Sequence, residues 1–282
     1  MSARTALPFR SPALLLAAAL DGGGARAEEP PAAAVPTLEH VILSASGRRY
    51  AGWPLDPLAE GGCAFLSDEG VVVLVPRDPP PEIHDVVARP VTEVPPAALV
   101  AALSHAERGV RDRCEDLLRE QGALALPHYG AALDGKSPEA CRLALSLLAQ
   151  QAAAFPKASG AWLTTVRSRL LDASDEMVRK MALRAYAALG ADDAFSRCTD
   201  SLRLDPSVQV RHEAIVLLGR TKDLHAVDPL LDHLARCEER SLRLVTFDAL
   251  RRLTGRSFAR DEARWRSWWT NHRAELLAAA AR

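Results

Sequence analysis

Asp-Pro-Ser-Val-Gln-Val-Arg-His-Glu-Ala-Ile-Val-Leu-Leu-Gly, residues 205–219, is the stretch that decides the fold of the C-terminal part of the chain. Asp, Pro and Ser at its start are residues that cap and begin α-helices, and Gly at its end is typical of a helix terminus. Between them apolar residues recur three and four positions apart, which indicates a helix with one buried face. The stretch therefore predicts one helix with both ends marked.

The same pattern recurs along the C-terminal two thirds of the chain. An apolar residue followed by Arg lies near the start of every second predicted helix, at Arg111, Arg142, Arg179, Arg211 and Arg243, with intervals of 31, 37, 32 and 32 residues. Five helix pairs can be drawn, at residues 97–121, 123–153, 161–189, 192–219 and 224–254. Because one hairpin cannot bury both of its apolar faces, we expect the pairs to stack into a right-handed α-solenoid.

Residues 205–219 closely resemble the second-helix signature of HEAT repeats, and residues 172–190 repeat that signature. In HEAT families the Asp before the second helix and the Arg within it often form a hydrogen-bonded ladder along the stack. The resemblance implies such structural pairs here, namely Asp172 with Arg179, Asp205 with Arg211 and Asp134 with Arg142. It covers residues 97–259, which we assign to HEAT-like repeats.

Helix periodicity turns four side chains of the third and fourth second helices away from the buried stripe. They are Lys180, Arg184, His212 and Val216. The HEAT resemblance implies that second helices line the concave face, so these residues are candidates for a protein-binding groove. A merely solvated face is the alternative.

Residues 260–282 predict a final helix with an aromatic side. Trp265, Trp268 and Trp269 stand at positions i, i+3 and i+4, so they point in one direction. The stretch from Leu250 to Asn271 is similar to the terminal segment of many exported bacterial HEAT-repeat proteins. We predict that the tryptophans cap the open end of the stack, and a hot spot for a partner or for sugar stacking is the alternative.

Residues 1–27 have the pattern of a secretory signal peptide. Arg4 and Arg10 precede a short apolar run, and Ala-Arg-Ala at residues 25–27 is a typical cleavage site. Residues 28–37 form a Pro/Ala-rich tether. We expect an exported bacterial protein, periplasmic or extracellular, and an Ala-rich extension without a targeting role is the alternative.

Residues 38–86 predict a small β module. Short β-branched or aromatic runs alternate with Gly, Ser and Asp turns, which indicates a sheet or partial barrel, and the pattern resembles small SH3-like modules of exported bacterial proteins. Residues 87–96 are predicted to be a Pro-rich linker, because 14 of the 19 prolines precede residue 97. So short a module needs to dock against the helices to be stable.

Composition and motifs exclude several function classes. Lys and Arg total 35 against 36 Asp and Glu, so broad electrostatic binding of nucleic acid is not expected. The five cysteines share no CxxC spacing, the histidines form no metal motif, and the short apolar run of the leader cannot span a membrane. Residues 130–137 satisfy the GxxxxGK[ST] phosphate-loop pattern, but their helical context predicts an inter-helix turn.

The sequence thus predicts a mainly α protein, a right-handed α–α superhelix of about five helix pairs with a small N-terminal β module. We expect no cofactor and no bound metal. The predicted function is a non-enzymatic, monomeric protein-binding scaffold of the cell envelope. One alternative is a lyase-like catalytic helper, since some bilin lyases are built of similar repeats, and a buried acidic and aromatic cradle would favour it. Another is a structural element that docks on wall or outer-membrane components.

Overall fold

The computed structural model describes residues 36–57, 62–76 and 81–280. The predicted signal peptide, residues 1–27, and most of the predicted tether, residues 28–37, lie outside the described residues. The described chain is mainly helical, and a small antiparallel sheet precedes the helices. The predicted fold class is therefore confirmed.

Five strands form the sheet. They are β1 (Thr37–Ala45), β2 (Arg48–Pro57), β3 (Gly62–Ser67), β4 (Val72–Pro76) and β5 (Glu82–Pro90), in the spatial order β4-β3-β2-β1-β5. The strand β5 pairs with β1 as far as Pro90, so it runs into the segment 87–96 that the sequence predicts as linker. Every residue of β5 from Glu82 to Arg89 is exposed, so backbone pairing rather than an apolar pattern defines this strand.

The sheet has an apolar cluster on each face. On one face Trp53, Leu55, Ala64 and Leu66 belong to the same buried cluster as the helices. On the other face Val41, Leu43, Ala45, Phe65 and Val75 pack together. Gly52 has a φ of 150°, and a Cβ there would lie 2.0 Å from the carbonyl oxygen of Leu66, so only glycine fits. The β module is thus docked on the helices, as its small size requires.

The helices follow from Pro96 onward. They are α1 (Pro96–Ala102), α2 (Arg108–Gln121), α3 (Gly130–Leu133), α4 (Pro138–Gln151), α5 (Pro156–Gly160), α6 (Leu163–Asp172), α7 (Glu176–Ala188), α8 (Ala194–Leu204), α9 (Val208–Leu218), α10 (Val227–Arg236), α11 (Arg240–Thr254) and α12 (Glu262–Ala280). The second helices of the pairs are α2, α4, α7, α9 and α11. Short 3₁₀ turns replace much of the first helix of the second pair, between α2 and α3.

Polar side chains begin three of the second helices. Ser137, Asp175 and Ser207 accept hydrogen bonds from backbone N–H groups in the first turns of α4, α7 and α9, at 3.3, 2.8 and 3.2 Å. These contacts satisfy donors that a helix leaves open at its start. Capping thus fixes where each of these helices begins.

Gly219 has a different role from the one its position suggests. It follows α9 and was predicted as a C-cap glycine, but its φ is −68°, which any residue adopts. A Cβ at this position would lie 2.7 Å from the Cβ of Ala249 on α11. The glycine is therefore required by close packing between successive second helices, whereas Gly255, with a φ of 67°, is a true left-handed cap of α11.

The helix pairs share one core. Helix α4 packs on α7, α7 on α9 and α9 on α11, so the second helices form a layer in chain order. Their buried residues belong to a single apolar cluster that extends from β2 to α12. The stability of each pair therefore depends on its neighbours.

Helix α12 packs against the last pair through its tryptophans. Trp265 and Trp269 are 1% and 3% exposed, whereas Trp268 is partly buried against Phe258 and His272. The Nε1 of Trp269 donates a hydrogen bond of 2.7 Å to Asp228 on α10. Two of the three predicted capping residues, Trp265 and Trp269, are thus buried at the end of the stack.

Candidate binding surface of the helix pairs

The helices α7 and α9 leave a row of partly exposed side chains outside the common core. Val178, Ala182 and Tyr186 of α7 are buried, in agreement with helix periodicity. The four predicted groove residues, Lys180, Arg184, His212 and Val216, are all partly exposed. The side chains of Lys180 and His212 make no hydrogen bond or ion pair to the described part of the chain. Their polar groups are therefore available to a partner.

Arg184 is held by an ion pair within the stack. Its Nε and Nη2 each donate to a carboxylate oxygen of Glu213 on α9 at 2.8 Å. The Glu213 side chain is 2% exposed, and the hydrogen bond to this buried carboxylate raises the pKa of Arg184. Arg184 thus ties α7 to α9, and its charge is not free for a ligand, unlike that of Lys180.

Arg179 makes a second bidentate contact between two units. Its Nη1 donates to the backbone carbonyls of Ala173 and Ser174, at 3.1 and 3.0 Å, which fixes the guanidinium across the turn before α7. Its Nε and Nη2 donate to the two carboxylate oxygens of Asp205, 26 residues further on, at 2.9 and 3.0 Å. Both side chains are mostly buried, and this pairing raises the pKa of Arg179. We call this contact between successive units the filled junction.

The ladder therefore connects neighbouring units, which differs from the predicted pairing. Asp205 was expected to pair with Arg211 of its own unit, but its carboxylate binds Arg179 of the preceding unit. The side chain of Asp172, the predicted partner of Arg179, lies outside the described residues. Asp134 approaches Arg169 at 3.5 Å, whereas Arg142 pairs with Glu139 of its own helix.

Two other marker arginines make similar contacts to a preceding turn and a following acid. Arg111 donates to the carbonyls of His105 and Ala106 and lies 4.0 Å from the carboxylate of Glu139. Arg243 donates to the carbonyl of Cys237 and to the carboxylate of Glu262 at 3.1 Å. In both cases one nitrogen binds the preceding turn and another approaches an acid that follows.

Arg211 makes the contacts to the preceding turn, but no acid of the described residues pairs with it. Its Nη1 donates to the carbonyls of Asp205 and Pro206 at 2.8 and 3.1 Å. Cys237 follows Arg211 by the same 26 residues that separate Arg179 from Asp205, so a thiol stands where the filled junction has a carboxylate. Nε and Nη2 of Arg211 have no partner in the described ranges 36–57, 62–76 and 81–280. We call this the open junction.

A pocket of about 490 Å³ lies at the open junction, between α8 and α10. Arg211, His233 and Cys237 line it together with residues from the ends of both helices. The Nε2 of His233 is buried and has no hydrogen-bond partner among the described residues. Burial, together with the nearby charges of Arg211 and Arg243, lowers the pKa of His233 to about 4, so its ring is neutral at pH 7. The positive charges near His233 are therefore those of Arg211 and Arg243.

Other candidate chemistries find no geometric basis. Cys114, Cys141 and Cys198 are buried, and burial raises the pKa of the Cys114 and Cys198 thiols to about 12. No cluster of side chains suited to a metal ion occurs in the described part of the chain. Among the described helices, none has the length and apolar character needed to cross a membrane.

The phosphate-loop pattern at residues 130–137 falls on an inter-helix turn. Gly130 begins the short helix α3, the 3₁₀ turn Leu126–His128 precedes it, and Ser137 is the N-cap of α4. A phosphate loop follows directly on a buried strand, whereas the last strand before this one, the exposed β5, ends at Pro90. The turn interpretation therefore agrees with the structure.

Residues 163–251 match the family model described as HEAT repeats. The chain contains a HEAT-like helical repeat domain. Its assignment rests on this match together with the observed stacking of helix pairs on one core.

The chain is also similar to solved structures of designed or engineered proteins. A designed armadillo repeat protein is 20% identical, with 56% of this chain and 82% of that chain covered and a TM-score of 0.38. An engineered protein is 19% identical, with 57% of this chain and 79% of that chain covered and a TM-score of 0.37. No curated protein matches the sequence.

Proposed function

We propose that this protein is a non-enzymatic scaffold that presents the surface of its HEAT-like repeats to a partner protein. Repeat solenoids of this kind are typical of protein-interaction scaffolds, because stacked pairs build an extended rigid surface while their core supplies stability. The observation that carries the proposal is the row of partly exposed side chains on α7 and α9, above a core that both helices share.

Ion pairs between units support a surface of fixed shape. Arg179 with Asp205 and Arg184 with Glu213 both connect α7 to the following unit, one at the turn and one along the helices. A partner that binds across α7 and α9 thus meets two helices whose spacing is already set. Preorganisation of this kind lowers the entropy cost of binding.

The cell envelope is our proposed location, and a monomer our proposed state. The location rests on the signal-peptide pattern of residues 1–27. A C-terminally tagged chain should fractionate with the periplasm or the medium, and N-terminal sequencing of the mature protein should begin near residue 28. Recovery of the intact N-terminus in the cytoplasm would contradict the export proposal.

Affinity capture from an envelope fraction tests the scaffold itself. We expect the wild-type chain to retain a stoichiometric protein partner, and K180A/H212A to weaken its retention about tenfold, as loss of interface contacts does. The matched control is K222A/H225A, which removes the same two residue types from exposed positions before α10. Equal retention by the two double variants would reject the surface, and retention of wall polymer instead of protein would favour the structural alternative.

A further inference from the structure

We propose that the pocket at the open junction binds the carboxylate of an acidic side chain from the partner protein. This rests on the proposed scaffold function and names the chemistry of one contact. The partner's Asp or Glu would occupy, beside Arg211, the position that Asp205 occupies beside Arg179.

The register of the repeats gives the first argument. At the filled junction the acid comes from the next unit of the same chain, 26 residues after the arginine. The same step from Arg211 leads to Cys237, whose side chain is a thiol and not a carboxylate. The arginine is therefore in place for a carboxylate that the described part of the chain does not supply.

The geometry of Arg211 gives the second argument. Two backbone carbonyls hold its Nη1, as two carbonyls hold the Nη1 of Arg179, so the plane of the guanidinium is fixed. The Nε and Nη2 edge is the edge with which Arg179 binds its carboxylate. A planar fork of two N–H donors matches a carboxylate in a bidentate manner, and at Arg211 no side chain from the described ranges occupies it.

The charges around the pocket select the kind of anion. Arg211 and His233 are partly buried, whereas the other charged lining residues are exposed, namely Arg203, Asp232, Arg236, Glu238 and Glu239. The lining carries three arginines and three carboxylates, so it has no excess of positive charge to hold a phosphate dianion or a nucleic-acid backbone. One arginine fork matches one carboxylate. The lining thus favours a carboxylate.

The ring of His233 also lines the pocket. Burial and the charges of Arg211 and Arg243 lower the pKa of His233 to about 4, so the ring carries no charge at pH 7 and the positive charge for the ligand comes from Arg211. The pocket volume of about 490 Å³ admits a side chain and part of its backbone.

The test uses the full chain labelled with ¹⁵N and follows the arginine Nε–H signals by NMR, with the Arg211 signal assigned from R211K. The probes are a capped tripeptide with Asp between two glycines, its Asn counterpart and sodium sulfate at equal ionic strength. We expect a saturable shift of the Arg211 signal with the Asp peptide at millimolar concentration and no saturation with the Asn peptide.

Two variants at Cys237 keep the test independent of folding defects. C237D supplies the missing carboxylate from within the chain, so the Asp peptide should no longer shift the Arg211 signal. C237S is the uncharged control of similar size and should respond as the wild type does. An unsaturable response of the wild type, an equal response of C237D, or tighter binding of sulfate than of the Asp peptide would each overturn the proposal.

The scaffold function is tested separately by the capture experiment on K180A/H212A. A negative peptide titration with intact partner capture would reject the carboxylate site alone. Loss of capture by C237D but not by C237S would place the site within the partner interface.

Discussion

The filled and the open junction contain the same arginine in the same backbone setting, and they differ in the residue that the next unit offers. Arg179 meets Asp205, and both side chains become mostly buried. Arg211 meets Cys237, and a pocket remains between α8 and α10. One substitution in a repeat thus separates an arginine that stabilises the stack from an arginine that can bind a ligand.

The largest effect should come from breaking the filled junction. D205A leaves the mostly buried Arg179 guanidinium without its carboxylate, and we expect a loss of about 3 kcal/mol in the free energy of unfolding. Urea denaturation followed by circular dichroism measures it. The equivalent change at the open junction, C237A, should cost about 0.5 kcal/mol or less. Similar losses for the two variants would show that the junctions do not differ in the way described.

A smaller loss is expected from breaking the ion pair between Arg184 and Glu213. E213Q keeps the shape of the buried Glu213 side chain but removes the charge that binds Arg184, so we expect a loss of about 2 kcal/mol. The control is E238Q, which makes the same chemical change at an exposed residue. If E238Q destabilises the protein as much as E213Q does, the ion pair between α7 and α9 makes no specific contribution to the free energy of unfolding.

Filling the open junction should raise stability. C237D places a carboxylate at the position that corresponds to Asp205, and an ion pair with the partly exposed Arg211 should add about 1 kcal/mol. The same denaturation experiment measures the gain, with C237S as the reference for loss of the thiol. A lower stability of C237D than of C237S would mean that the two junctions are not geometrically equivalent.

A further effect, the dependence of stability on pH, concerns His233 at the open junction. The pKa of His233 is lowered from 6.5 to about 4 in the folded chain, so between these values the unfolded state binds more protons. Its contribution to stability is complete above about pH 6.5 and is lost as the pH falls toward 4. Thermal unfolding between pH 7 and pH 4.5 should therefore show a steeper decline for wild type than for H233Q. Parallel declines would contradict this assignment.

The sequence predicts the helical repeats because their signals are local. The apolar-Arg marker, the capping residues Asp175 and Ser207 and the 3.6-residue periodicity all act within one helix. The strand β5 has no such signal, because all of its residues from Glu82 to Arg89 are exposed and only pairing with β1 orders it. Its pairing is a long-range property that periodicity does not encode.

The candidate site is harder to predict for the same reason. The acid that binds Arg179 lies in the next unit, whereas the resemblance to HEAT repeats implied Arg211 of the same unit as the partner of Asp205. The buried Glu213 that holds Arg184 has the sequence appearance of an ordinary helix residue. Cys237 attracts notice only when the 26-residue step from arginine to acid is known, and that step comes from the structure.

Gly219 sets the distance between two successive second helices. The backbone of α9 meets α11 closely at this glycine, where even one methyl group would lie 2.7 Å from the Cβ of Ala249. Any larger residue at this position would have to push α9 and α11 apart, so the spacing of the fourth and fifth helix pairs depends on a residue without a side chain.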